Sequence, residues 1–175
     1  MAKPSLDRLI GIDEACAAAD SLKCGFVMLG WGEFSLVDFE DLPNLNRHSW
    51  RKHTGGYAWR RGTFRGKQIY MHQQILNPPD GFETDHINRN KLDNRRCNLR
   101  IATRQQNRAN TPVRSHNRAS RFKGVRKNYR KYNARGILNG REYSLGSFDS
   151  EIEAAKAYNN WAKKHFGEFA YLNPV

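Results

Sequence analysis

Asn77-Pro78-Pro79-Asp80-Gly81 sets the scale of what can form on either side of it. Two prolines lack the amide proton that a helix interior or a central strand needs, and Asp-Gly favours a tight turn. No regular element crosses this point. Beyond it, residues 82–87 read as a short strand ending at Asp85 and His86. Residues 88–95 are polar and loop-like, residues 97–102 alternate with Leu99 and Ile101 apolar, and Thr103 can cap a helix of one to two turns through Asn110. Strand, loop, strand and helix follow one another in a short span.

Upstream, residues 6–22 read as a weak Ala-rich helix with Leu9, Ile10, Ala17 and Ala18 on its apolar side, and no function is assigned to it. Residues 32–37 alternate, and two β-like runs, GYAWRR and QIYMHQQIL, are separated by turns at Gly62 and Gly66. Residues 109–120 hold a proline, small polar residues and arginines with little to bury, which is a basic linker. Past it come three strand candidates, residues 122–126, 131–137 and 142–145, with Asn139-Gly140 as the hairpin turn between the last two. Ser150 to Glu153 reads as a capping box, after which Ile152, Ala155, Tyr158 and Ala162 recur at helical spacing until Gly167. The fold class expected is α+β. Its parts are an N-terminal segment 1–23 of unassigned role, a first domain 24–110, a basic linker 111–120, and a second domain 121–175 made of a three-stranded antiparallel sheet packed on one helix.

Charge says what such a chain meets. Lys and Arg number 30 against 17 acidic residues, a net charge of +13 with a pI near 10.0, so a polyanion is the expected partner. The acidity is concentrated in residues 1–46 and the basic charge in residues 47–141. A chain of 175 residues makes one or two modest domains, which excludes a large multidomain enzyme. No stretch reaches the roughly 18 apolar residues of a spanning helix, and no membrane partner or signal peptide is expected. Cys16, Cys24 and Cys97 form no CxxC pair, so neither a disulfide framework nor a cysteine zinc site is indicated. An intracellular, reducing compartment is expected.

The stretch TDHINRNKLDNRRCN places a carboxylate, an imidazole and amides inside the most basic part of the chain. Phosphodiester hydrolysis needs a base for water, help for the departing oxygen, and charge relief in the transition state. Asp85, His86 and Asn107 can supply these. A hard divalent cation prefers oxygen, so the Asp85 carboxylate and the Asn107 side-chain oxygen are candidate metal ligands, with phosphate and water completing the shell. His86, with an ordinary pKa of about 6.5, is then free to act as base. Adjacent residues on a strand face opposite ways, so both can flank one phosphate only if the strand ends in a twist or bulge.

The pattern T-D-H, then L-D-N-R-R-x-N-L, then T-x-x-x-N resembles the HNH nucleases, in the phage and intron homing subgroup that ends on Asn. The likeness runs from Phe34 to Asn110 and includes VDFEDLPNLNRHSW and YMHQQILNPPDG. It implies a ββα-metal domain in which Asp85 ligates the metal, His86 is the general base, Asn98 braces the loop, and Asn107 is the second ligand. Asn94 would be a loop-bracing residue. A divalent ion, magnesium or else manganese, is implied, and no structural zinc. The chain departs from the subgroup at Gln73 and Gln74, where Arg-Leu is common, and at Arg89, where Gly is common. The resemblance implies a phage or mobile-element origin and a cytoplasmic site in a bacterial or phage-infected host.

In the second domain Lys131, Asn133 and Arg135 alternate with Tyr132, Ala134 and Gly136, giving the middle strand a polar, basic face. Residues 120–173 resemble the DNA-binding domain of the APETALA-type ethylene-response family, with Tyr132 where Trp is usual and Gly136 where a branched apolar residue is usual. That likeness implies a sheet that reads double-stranded DNA. The expected DNA contacts are Arg95, Arg96, Arg104, Arg108, Arg126, Arg130, Lys131, Asn133, Arg135 and Arg141. Two other readings stay open on sequence alone, a DNA-binding regulator without catalysis and an RNA-binding protein.

Overall fold

The computed structural model describes residues 23–30, 32–64, 66–113 and 120–175. The helix expected over residues 6–22 and most of the expected linker lie outside the described residues. The chain divides into two compact units, one ending at Ile101 and the other running Ala102–Val175.

The first unit opens with an antiparallel hairpin of β1 (Cys24–Gly30) and β2 (Glu33–Asp38). In β1, Val27 and Leu29 turn inward while Phe26 and Met28 turn out, a period-2 pattern hidden in the sequence because both faces are apolar. A short helix, α1 (Leu42–Leu45), leads to a three-stranded antiparallel sheet of β3 (Arg51–Lys52), β4 (Ala58–Arg61) and β5 (Gln68–Tyr70). Then come α2 (Met71–Leu76) and β6 (Phe82–His86), the latter paired with β7 (Leu99–Thr103). Val27, Leu29, Val37, Leu45, Trp50, Met71, Ile75 and Leu99 form the core.

The run QIYMHQQIL is not one strand. Its first three residues are β5, and the remainder is α2, which buries Met71, His72 and Ile75 and ends at Asn77 in the left-handed conformation (φ 44°). The buried residues at positions 71, 72 and 75 fit one helical face, and the prolines after Asn77 keep the helix to six residues.

The second unit begins on the last residues of β7 and continues into α3 (Arg104–Asn110). Thr103 caps it reciprocally: its hydroxyl accepts from the Gln106 amide, and the Gln106 side chain accepts from the Thr103 amide. The helix is tied to the rest of this unit, since Lys123 Nζ donates to the carbonyls of Arg108, Ala109 and Thr111 and the Tyr171 amide donates to that of Ala109. Those bonds place the division ahead of α3, whereas the sequence groups this helix with the first domain.

β8 (Val125–Asn128), β9 (Lys131–Leu138) and β10 (Arg141–Phe148) make an antiparallel meander with β9 in the middle. Asn139 and Gly140 both have positive φ (51° and 77°), the conformation a tight two-residue hairpin demands. α4 (Glu151–Phe166) packs on this sheet through Ala154, Ala155, Tyr158 and Ala162, while Ile152 is 47% exposed. Ser150 caps α4 by accepting from the Ile152 amide.

The glycine at position 136 has a packing reason. A Cβ there would lie 2.5 Å from the Trp161 ring, so the indole lies directly against the β9 backbone. Gly136→Val should therefore destabilise the second unit by about 1 to 3 kcal/mol through overpacking. Thermal unfolding checks this; an unchanged midpoint would mean that Trp161 does not pack there.

Candidate active site

His86 is the last residue of β6, and Thr84, Asp85 and His86 are all buried. The chain then enters a loop held from both ends. Asn98 accepts from the Asn88 amide (2.9 Å) and donates to the Asp93 carbonyl (2.7 Å), while the Ile87 amide donates to the Asn98 carbonyl. The loop is also stitched to β2, because the Leu36 amide donates to the Leu92 carbonyl and the Asn94 amide to the Leu36 carbonyl. Arg89 takes a left-handed conformation (φ 66°), so a residue stands there at the dihedral that glycine takes most readily.

One chain of hydrogen bonds fixes the chemical state of His86. The Ser35 hydroxyl donates to the Leu92 carbonyl (2.9 Å), so its oxygen accepts from the Asn94 side-chain NH2 (2.7 Å). Asn94 must then point its oxygen at His86 Nε2, 3.2 Å away, and that nitrogen carries the proton. The basic lone pair of the neutral ring is thus on Nδ1. Burial pushes the His86 pKa below the usual histidine value, partly offset by the Asn94 bond and by Asp85 and Asp93. The imidazole is neutral at physiological pH.

Asp85 is paired with Arg100 of β7, whose Nε and Nη2 reach Oδ2 at 2.9 and 2.8 Å. Arg100 was not among the expected site residues; its only signal is an alternating position on the strand beside Asp85. His86 also has two ring neighbours, His72 (ring centroids 5.0 Å apart) and Tyr57 (6.0 Å). Burial, and then Asp85, hold the Tyr57 phenol above its usual pKa.

His72 gives a pH signature. Its Nδ1 is buried with no hydrogen-bond partner among the described residues, and burial, with His86 next, lowers its pKa to about 3. Between pH 3 and its ordinary value of 6.5 the unfolded chain binds a proton at His72 that the folded protein does not. Stability from this group is complete above pH 6.5 and is lost as pH falls, at up to about 1.4 kcal/mol per pH unit. Chemical denaturation from pH 6 to 4 should show a shallower decline in His72→Phe than in the wild type; parallel curves would contradict the burial of a neutral His72.

The expected DNA contacts fall into distinct places. Arg95 is corrected: it is 4% exposed and forms a two-pronged ion pair with buried Asp93 (2.8 Å each), which makes it a structural cation of the loop with no face for DNA. Arg96 is clamped by Asp41 and Glu40. Arg104, Arg108, Arg126, Arg130, Lys131 and Arg141 are exposed, and Asn133 and Arg135 are half-buried. Arg135 pairs with Glu142 (2.9 Å) and Lys131 with Asp149 (3.4 Å). Within the second unit, Arg104, Arg108 and Arg135 line one cleft of about 470 Å³ with Trp161 on its wall. Asp85, His86, Asn94 and Asn98 are brought together in the first unit; Asn107 stands half-buried on α3 of the second.

Among the described residues no three His, Cys, Asp or Glu side chains gather as a metal cage. The donors at hand are a carboxylate and amide oxygens, a set that suits a hard cation keeping several waters and not one that demands a full protein cage. Nor is any described helix long and apolar enough to cross a membrane.

A neutral imidazole can take a proton from water beside a phosphodiester, and a chain of net charge +13 draws the polyanion to it. That chemistry is what a nuclease requires. The chain's relatives define which kind. Residues 77–109 match the family model described as HNH endonuclease. Over 159 residues the chain is 32% identical to a protein named as an uncharacterized HNH endonuclease from Acanthamoeba polyphaga mimivirus, spanning 86% of this chain and 81% of that one. The chain belongs to the HNH endonuclease family. No solved structure matches it.

Proposed function

We propose that the protein is a metal-dependent HNH endonuclease of the homing type, which cuts duplex DNA at a site selected by its C-terminal unit. The observation that carries this reading is the Leu92–Ser35–Asn94–His86 relay, which leaves Nδ1 of a buried neutral imidazole as the base beside the Asp85 carboxylate. His86 Nδ1 takes the proton of the attacking water. Asn94 and Ser35 keep the ring in the tautomer that can do so, and Asn98 holds the loop that carries Asn94. Asp85 would hold the divalent ion, magnesium or manganese, and Asn107 is the second ligand that the resemblance to the HNH nucleases implies; when bound the ion supplies charge relief to the transition state and the departing oxygen.

Site selection rests on the three-stranded sheet. β9 carries Lys131, Asn133 and Arg135 on alternate positions, with Arg126, Arg130 and Arg141 around it, and a ribbon of this kind fits a major groove. The resemblance of residues 120–173 to the APETALA-type domain supports the same use. Incubating the protein with random-sequence duplex DNA and magnesium, then sequencing the ends produced, tests both parts. Ends at one shared sequence are expected. Scattered ends would refute site selection, and intact DNA would refute the nuclease.

A further inference from the structure

Arg47, Arg51, Arg60 and Arg61 line a cleft of about 480 Å³ in the first unit, with Trp59 on its wall and no carboxylate among its lining residues. Among the described residues none of the four arginines has an ion-pair partner. Arg60 is held in place: its Nε donates to Gln74 (3.0 Å), and its guanidinium lies 5.6 Å from the centroid of the Trp50 ring. Like charges gathered in this way repel one another until an anion joins them, and the guanidinium fork matches phosphate oxygens.

Ring contacts connect the Trp59 wall of the cleft to His86. Arg51 lies opposite Trp59 across β3 and β4, and Arg61 is two residues on, so these three share a face of the sheet. From half-exposed Trp59 a row of ring contacts runs to His53 (6.0 Å), Tyr70 (5.9 Å), His72 (5.6 Å) and His86 (5.0 Å). A basic groove joined to aromatic rings is how proteins hold a nucleic-acid strand without reading its sequence.

We infer that the Arg47–Arg51–Arg60–Arg61 cleft anchors the sugar-phosphate backbone of the DNA strand that is cut, and that the Trp59–His53–Tyr70 row leads that strand to His86. The assignment rests on the nuclease reading above. It makes the first unit a DNA-binding surface in its own right, indifferent to sequence. More than one phosphate is engaged, since four arginines line a cleft too large for a single small anion.

The test uses the full-length protein and a random-sequence duplex, with calcium replacing magnesium so that binding is read without cutting. Each phosphate contact contributes about 0.9 to the slope of log affinity against log salt, so R51Q/R61Q should flatten that slope by about 1.8. R51K/R61K should keep most of it. Circular dichroism confirms folding in both variants. A folded R51Q/R61Q protein with the wild-type slope overturns the assignment, and so does an equal loss in R51K/R61K, which would indicate damaged packing. Failure of the nuclease reading looks different: the wild type binds but does not cut in magnesium, and the salt slopes still judge the cleft.

Discussion

His86→Ala should remove most cleavage, about 10² to 10⁴ in rate, while leaving DNA affinity close to wild type. The base acts in the transition state, so its loss appears in turnover and not in ground-state binding. Added metal should not restore it, because a metal ion does not replace the proton acceptor that the His86 ring provides. His72 is the nearest imidazole, but its Nδ1 is buried without a partner among the described residues and its pKa lies near 3. Plasmid nicking measured with circular dichroism and a gel shift in calcium checks this; a folded His86→Ala protein cutting at the wild-type rate would contradict the assignment.

Asp85 should give the opposite response to metal, and its substitution has a second effect that comes from Arg100. Asp85→Asn keeps the shape of the side chain and loses the anion, so activity should fall steeply at low magnesium and return in part at high magnesium or manganese. Asp85→Ala goes further. It removes the carboxylate paired with Arg100, whose side chain is 11% exposed, and breaking a largely buried ion pair costs about 3 to 5 kcal/mol. Replacing Arg100 by Met in the same chain should recover much of that stability without recovering activity. If Asp85→Ala proves as stable as the wild type, the Asp85–Arg100 pair is not a buried contact.

The parts of this architecture that were legible in the sequence are those encoded by neighbours. Thr103 and Gln106 are three residues apart and announce α3, and Asn139-Gly140 announces the β9–β10 turn. The strand end at Asp85-His86 could be read from the turn before it and the polar loop after it. The parts that could not be read depend on distant partners. Ser35 orients Asn94 from 59 residues away, and without that bond Asn94 reads only as a loop amide. Arg95 looks like a DNA contact because arginines surround it; burial against Asp93, in a loop bonded to Leu36, removes it from solvent. β1 hid its alternation by exposing Phe26 and Met28, and Met71 entered a helix because residues 71, 72 and 75 bury together.

The cluster at the end of β6 is proposed to be a metal-dependent phosphodiesterase centre. Nicking of supercoiled plasmid by the purified wild type, titrated with magnesium and repeated in chelator, tests it most directly. The account predicts relaxed circles that accumulate with metal and none in chelator, with Asp85→Asn shifted to higher metal and His86→Ala inactive throughout. Wild-type protein that binds the plasmid yet leaves it supercoiled at every concentration of magnesium and manganese would contradict it.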